Sequence, residues 1–411
     1  MRFLPYFAAV ALVSFFSMAA AQEVNWHGFV LANYSLRTAK AAPDLKFGDF
    51  LLGDQRLQLK LSAAEGEGRA FAKVDFFQDA LTSESELEVR EAFLDYRLGR
   101  FDFRAGRHII TWGLGDLVFV NDLFPKDWRA LFSGRPVEYL KVGVDGLKTT
   151  FSSSLFSAQL AVLPFFQPDR LPTPDRFFMY DPFGSIPGRM ETRPTPQFEN
   201  MEIAGRLYRS FSGSELALYA YRSFFKSPAA RPDSASVSYF YSELSVYGAS
   251  AQKSVYSGIL SLEYGYYDSR QDRRGDDPSI ANSSHRFLAG YQRQGWTDFT
   301  YGLQFYGEVM QDYDAYKSAL PAGFPKQDRF RQMFTLRITQ WLKYQTLKLS
   351  GFGFYSPSDE DYYLIPEIQY KLSDRLGFIL GGNLFGGKKR TTFWGQFDRN
   401  DNVYTTLSYD F

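Results

Sequence analysis

Charged side chains recur at alternate positions along much of this chain, and that spacing is its first chemical signal. Arg56, Lys60, Arg69, Lys73, Asp75, Glu91, Asp95, Arg97, Asp102, Arg104, Glu202, Arg206, Arg337 and Glu367 occupy one parity of their segments, with apolar residues on the other. Facing rows of opposite charge would set up a transverse field that sorts polar solutes from apolar ones. For any single residue, the plainer role is an ion pair across neighbouring strands. A second group lies within 112–142, where Asp116, Asp122, Asp127 and Glu138 balance Lys126, Arg129, Arg135 and Lys141. Catalytic chemistry has less support. His27, His108 and His285 fall in different segments, and no nucleophile elbow, zinc-protease helix or phosphate loop is present. Asp272, Asp276 and Asp277 could attract calcium, but Arg270, Arg273 and Arg274 compete in the same loop. No enzymatic activity, metal or cofactor is expected.

The elements that must position these charges follow from the same alternation. Trp26, Gly28, Val30, Ala32, Tyr34 and Leu36 share one face, while Asn25, His27, Asn33, Ser35 and Arg37 share the other. Leu57, Leu59 and Leu61 alternate with Arg56, Gln58 and Lys60, and Phe334, Leu336 and Ile338 with Thr335, Arg337 and Thr339. A period of two with one apolar face is the strand signal. It predicts strands over 24–37, 50–64, 69–79, 86–98, 101–111, 143–152, 156–166, 201–211, 215–226, 236–248, 253–267, 284–294, 298–311, 330–340, 345–356, 362–371, 375–386 and 402–411. These number eighteen, or sixteen if a pair within 236–267 is split wrongly. Their connections are alternately short and long, the sorting expected of a membrane barrel with short periplasmic turns and long extracellular loops. The long ones include 112–142 and 167–200. Seven prolines stiffen 167–200, which otherwise carries no evident chemistry. Pro125 could open a short helix in 112–142 and Gly134 could end it.

Composition narrows the class. The chain has 411 residues, 46 basic against 46 acidic, no cysteine and 18% aromatics. Balanced charge argues against a nucleic-acid partner. The lack of cysteine excludes disulfides, thiolate metal sites and a lipoprotein anchor. Residues 1–21 read as a signal peptide: Arg2, an apolar run from Phe3 to Met18, and Ala19-Ala20-Ala21 before Gln22. Residues 22–411 then form one domain, with no room for a separate plug before the first strand. No later apolar run is long enough for a membrane helix. A barrel with its apolar face turned to lipid and a wet, polar interior explains a mean hydropathy of −0.29. Tyr264, Tyr266, Tyr267, Tyr362 and Tyr363 at strand ends suit interfacial girdles. Arg107 conflicts with this scheme, because its parity points to lipid; either it lies near a rim and snorkels, or, as the neighbouring Gly106 favours, a bulge turns it inward.

Two stretches resemble a known family. Arg90-Glu91-Ala92-Phe93-Leu94-Asp95-Tyr96 is similar to the Arg-Glu-Ala-Tyr-Leu-Asp-Tyr strand of bacterial outer-membrane porin-like barrels. Gly106-Arg107-His108-Ile109-Ile110-Thr111-Trp112-Gly113 resembles the strand that follows it there, with His108 where those families more often carry glutamine. The end of the chain, Val403, Thr405, Leu407, Tyr409 and Phe411 on one face, resembles the signal read by the barrel-assembly machinery. The resemblance implies a large outer-membrane barrel of a Gram-negative bacterium, distantly like the 18-stranded alginate-export type.

The expectation is therefore an all-β, transmembrane, antiparallel up-and-down barrel of eighteen strands. It would sit among outer-membrane lipids, with Phe411 as the handle for assembly, and could form homo-oligomers. Its expected role is passive passage of small hydrophilic solutes. Segment 112–142 would constrict the pore through Asp116, Asp122, Lys126, Asp127 and Arg129, while Glu91, Asp95, Arg97, Arg104, Arg107 and Arg337 line the wall. The rivals are a transporter or exporter specific for an anionic polysaccharide or organic acid, and a sheath around an electron-transfer partner protein.

Overall fold

The computed structural model describes residues 24–40 and 42–411, so the expected signal peptide lies outside the described residues. The strands are β1 (Val24–Arg37), β2 (Phe50–Glu65), β3 (Gly68–Asp79), β4 (Glu84–Leu98), β5 (Phe101–His108), β6 (Val144–Ser152), β7 (Ser157–Leu163), β8 (Gly188–Thr192), β9 (Glu202–Phe211), β10 (Ser214–Phe224) and β11 (Ala229–Pro232). They continue with β12 (Ser236–Phe240), β13 (Glu243–Val255), β14 (Gly258–Ser269), β15 (Ser284–Gln294), β16 (Phe299–Met310), β17 (Phe330–Leu342), β18 (Leu347–Ser356), β19 (Asp361–Lys371), β20 (Leu376–Gly387) and β21 (Asn402–Asp410). Eighteen of these pair antiparallel with their neighbours in chain order, and β21 pairs back onto β1, so the sheet closes. Closure leaves no free edge, which is what a β structure needs inside a bilayer. The other three, β8, β11 and β12, form a small separate sheet.

The closing seam explains one glycine. Phe411 exchanges backbone hydrogen bonds with Gly28, and its ring lies where a Cβ on residue 28 would stand. Trp26 packs beside that ring at 5.9 Å between centroids. The seam thus ends in an aromatic pair at one rim.

All eight connections at that rim have two to four residues: 66–67, 99–100, 153–156, 212–213, 256–257, 295–298, 343–346 and 372–375. At the opposite rim they run through 38–49, 80–83, 109–143, 164–201, 225–242, 270–283, 311–329, 357–360 and 388–401. The sorting is as expected, but one hairpin is displaced. The strands predicted at 236–248 and 253–267 are β13 and β14, turning at Tyr256-Ser257, and 236–240 is β12 of the small sheet. Tyr256 and Ser257 take φ of 48° and 61°, so this turn is made without the Gly or Asn that normally marks it.

Leu59, Leu147, Leu160, Leu218, Leu303, Leu336 and Leu407 are exposed on the outward parity and make the band that meets lipid. The inside differs from the expected all-polar lumen. One apolar cluster joins Val118, Val120, Leu131, Phe132 and Leu140 to inward Leu288, Phe352, Phe354, Tyr363 and Phe385. A second joins Ile110, Trp112 and Phe124 to inward Val144, Ala161, Ala204, Tyr219, Tyr221 and Tyr267. The physical reason is that 109–143 folds back into the barrel and brings its own apolar residues, which inward aromatics then cover.

Candidate solute pathway

Loop 109–143 leaves the wall at His108 and crosses the interior. Its anchors come from strands on every side. Glu263 on β14 accepts the backbone N–H groups of Leu114 and Gly115 and the Asn121 side-chain amide, the last two at 2.7 and 2.8 Å. Gln304 on β16 exchanges hydrogen bonds with the backbone of Asp116 at 2.8 and 2.9 Å. Across the barrel, Arg90 on β4 donates to the carbonyl of Glu138 at 2.9 Å, and Gln58 on β2 reaches Tyr139 at 3.3 Å. Contacts to β2, β4, β14 and β16 at once are possible only through the lumen.

The centre of the loop is helix α1 (Trp128–Phe132). Asp127 caps it by accepting from the backbone N–H of Ala130 at 2.9 Å. Its far end would leave carbonyls bare in the middle of the barrel. Inward asparagines meet them: Asn383 and Asn402 donate to the Phe132 carbonyl at 3.2 and 3.0 Å, and Asn33 donates to that of Gly134 at 2.9 Å.

The proposed constriction residues therefore divide. Lys126 is buried against Asp122 at 3.1 Å, and Lys141 holds the other carboxylate oxygen of Asp122 at 2.7 Å. Burial pulls the Lys126 pKa down against the attraction of Asp122. Asp127 is taken up by the helix cap and by Arg170 at 3.3 Å. Asp122, Lys126 and Asp127 thus knit the loop together and do not face solute, a correction to their expected place. Arg129 is half-exposed in a cavity of about 890 Å³ under the long loops. Asp116 pairs with Arg337 of β17, and both stay substantially exposed.

The wall residues fall into rows defined by strand register. One row runs Lys60, Lys73, Glu91 across β2, β3 and β4. The next runs Arg69, Asp95, Arg104, Lys148 across β3 to β6. Arg104 grips Asp95 through two bonds of 2.7 and 2.8 Å and lies over Phe93. Glu91 accepts the backbone N–H of Ile109 where the loop departs, and Glu138 of the loop stands 3.8 Å from Lys73. Among the described residues, neither Lys60 nor Lys148 stands in an ion pair. Arg97 pairs with Asp102 at 2.8 Å, well exposed near the short turns.

Arg107 is placed differently from expectation. Pairing is continuous through Gly106 and Arg107 on both sides, so β5 has no bulge. The register shift lies one strand over, between Lys73 and Val74, and leaves Arg90 as the extra residue of β4. Arg107 shares the outward face with Ala105 and Leu147, and meets Asp145 through two hydrogen bonds with little exposure. The ion pair satisfies the charge that a bulge was expected to turn inward. Gly106 instead takes φ of 126°, and a Cβ there would strike the Ala92 carbonyl.

Sequence reasoning missed several members. Lys148 has the inward parity of its strand. Asp169 and Arg170 lie in the stretch that seemed to carry no chemistry. Asp169 accepts from the backbone of Lys126 at 2.8 Å and from the Trp128 indole at 3.2 Å, and burial raises its pKa. Arg170 bridges Glu88 and Asp127 at 2.7 and 3.3 Å. No local pattern marks these, because their partners are over forty residues away. The histidines do not converge: His108 is buried with Nδ1 on the Gly106 carbonyl, and His285 meets Tyr264 on the outer face. Asp272 accepts the backbone N–H groups of Asp276 and Asp277, so its carboxylate closes a turn.

A closed eighteen-stranded wall with a third long loop folded inward is a specific architecture. The chain has the fold of an outer-membrane porin. OccK2 (OpdF) of Pseudomonas aeruginosa, solved in complex with glucuronate, matches with a TM-score of 0.58 at 9% identity over 94% of this chain and 98% of that one. OpdK of Pseudomonas aeruginosa, solved with vanillate, gives 0.57 at 11% over 95% and 98%. OccAB2 of Acinetobacter baumannii gives 0.55 at 12% over 95% and 98%. No family model and no curated protein matches by sequence. At these identities the likeness carries the porin fold alone.

Proposed function

We propose that this chain is an outer-membrane channel for passive passage of small hydrophilic solutes, and that it favours small anions such as organic acids. The observation that carries the reading is the uneven filling of the lumen. Apolar clusters occupy the sectors against β6–β15 and β18–β20. The charged rows of β2 to β6 stay half-exposed, with Lys60, Arg69, Lys73, Arg104 and Lys148 against Glu91 and Asp95. A surplus of cations beside water attracts anions at close range. Loop 109–143 acts as the constriction, and the long loops face outside the cell. That two channels of this fold were solved with the carboxylates glucuronate and vanillate supports the preference. A sheath around a partner protein is disfavoured, because the loop and its clusters occupy the space a partner would need. Phe411, at the seam and on the outward parity, serves as the handle for barrel assembly.

Single-channel recording of the refolded protein in a planar bilayer under a KCl gradient tests this reading. The expected result is steady open steps, a reversal potential of anion-selective sign, and saturable block by glucuronate or vanillate. Cation selectivity, or no current from a folded barrel, would overturn it.

A further inference from the structure

The outward face of β10, β13 and β14 departs from the plain apolar band. Leu216, Leu218, Ala220 and Arg222 share the exposed parity of β10, opposite the buried Ala217, Tyr219 and Tyr221. Register extends each position into a row across the three strands: Leu216–Ala251–Leu262, Leu218–Ala249–Tyr264, Ala220–Tyr247–Tyr266 and Arg222–Ser245–Asp268.

The two lower rows hold an outward groove of about 540 Å³. It exists because Ala249 and Ala251 stand between leucines 207, 216, 218 and 262. The third row carries Tyr247 and Tyr266, whose apolar rings and wet hydroxyls mark the lipid boundary. The Tyr266 hydroxyl reaches the side chain of Gln311 at 3.3 Å, in a loop of the long rim. Arg222 lies one row beyond, at headgroup depth. Arg273 is bound to Asp268 through two bonds of 2.9 and 2.8 Å, and Arg270 to Glu243 at 2.9 Å. Arg222 is exposed and stands in no ion pair among the described residues. Arg270 donates to the carbonyl of the adjoining Ser223 at 3.0 Å, which brings a second cation to the same edge. Glu243 and Asp268 are thus taken by other arginines, and Arg222 is left without a counter-charge from the described residues.

We propose that this face binds one phosphate-bearing lipid, with its phosphate on Arg222 and an acyl chain in the groove below. The proposal rests on the reading of the wall as membrane-spanning. Two independent features agree on the occupant. The charge asks for an anion at the headgroup plane, and the trough on the same strands asks for a narrow apolar chain. The groove spans the Leu216 and Leu218 rows, which lie about 13 Å to about 20 Å along the strand from Arg222, within reach of a long acyl chain that passes the Ala220 row. An anion alone would leave the groove empty, and a neutral lipid would leave Arg222 unpaired.

Native mass spectrometry of the whole barrel from neutral detergent tests this, with dioleoyl phosphatidic acid and dioleoyl phosphatidylcholine as probes. One phosphatidic acid should stay bound per barrel, several-fold more strongly than phosphatidylcholine. Arg222→Gln should lower its retention at least threefold, Arg222→Lys should restore most of it, and Ala249→Phe should lower retention of both lipids. Heat-modified gel mobility confirms that each variant is folded. If Arg222→Gln misfolds, the lysine and phenylalanine variants carry the comparison. Equal retention of the two lipids, an unchanged Arg222→Gln, or displacement by inorganic phosphate at the same concentration overturns the proposal. So does a second copy of the chain taking the groove and expelling the lipid. Conductance should be unchanged in Arg222→Gln, which separates failure here from failure of the channel reading.

Discussion

Lys148 and Glu263 both point inward, yet they do opposite things. Lys148 stands beside Arg104 in a half-exposed row whose acid, Asp95, is held by Arg104, and among the described residues it is in no ion pair. At about 4 Å in water, one unit charge is worth about 1 kcal/mol to a passing ion, or roughly fivefold in occupancy. Lys148→Gln should therefore lower the anion-to-cation permeability ratio severalfold, read from the reversal potential in a salt gradient. Raising the salt concentration should shrink the difference, because screening shortens its reach. Glu263 is buried and spends its carboxylate on two backbone N–H groups and the Asn121 amide. Glu263→Ala strands those donors, at about 1–3 kcal/mol for each buried one. Its expected result is a folded barrel whose single-channel current flickers and whose unfolding midpoint in urea falls. A quiet trace at wild-type conductance would mean that the other anchors hold the loop by themselves.

At the scale of elements, loop 109–143 decides what the barrel encloses. It is mostly irregular, and its regular parts are five residues of α-helix and a four-residue 3-10 turn, Val137–Leu140. Such a helix is marginal alone. It persists because Asp127 caps one end and three wall asparagines satisfy the carbonyls at the other. Deleting 118–136 removes α1 and most of the buried apolar residues of the loop, while both strand ends remain. Conductance should then rise severalfold with the barrel intact by heat-modified mobility. An unchanged conductance would place the narrowest point elsewhere. The hairpin of β13 and β14 shows the limit of reading elements locally. Its turn is Tyr256-Ser257, whose positive-φ positions carry a tyrosine and a serine, and the glycine stands only after it, at Gly258.

For the whole molecule, stability is shared between the closed wall and a core inside it. Phe132 is the hub of that core, with rings of Tyr363, Phe385, Trp394 and Phe397 at 5.0–5.7 Å between centroids. Phe132→Ala should cost about 3–5 kcal/mol, measured as a lower urea midpoint in lipid vesicles, whereas truncating an outward leucine such as Leu303 should cost much less because lipid refills the space. Equal losses would mean that the inner core is not a load shared with the wall. An inside that is both packed and charged separates the rigid sectors from the half-exposed rows of β2 to β6. The proposed pathway along β2 to β6 rests on that separation.

The sequence by itself determined the wall. Alternation of two, a sorted series of short and long connections, and an even count of strands state a closed barrel, because each is a local property that a strand must satisfy wherever it lies. It also placed Glu91, Asp95 and Arg104 on one inner wall, since register follows parity. The tertiary structure alone decided the interior. In β18 the run Ser350-Gly351-Phe352-Gly353-Phe354 alternates in size and not in polarity, so nothing local says that the phenylalanines face inward. Asp122, Lys126 and Asp127 read as free charges until their partners, some of them over forty residues distant, are brought against them. Arg107 found Asp145 on the outward face, where parity had pointed and the expected bulge had not. Period and turn length are written along the chain, whereas which loop enters the lumen depends on contacts made only once the wall has closed around it.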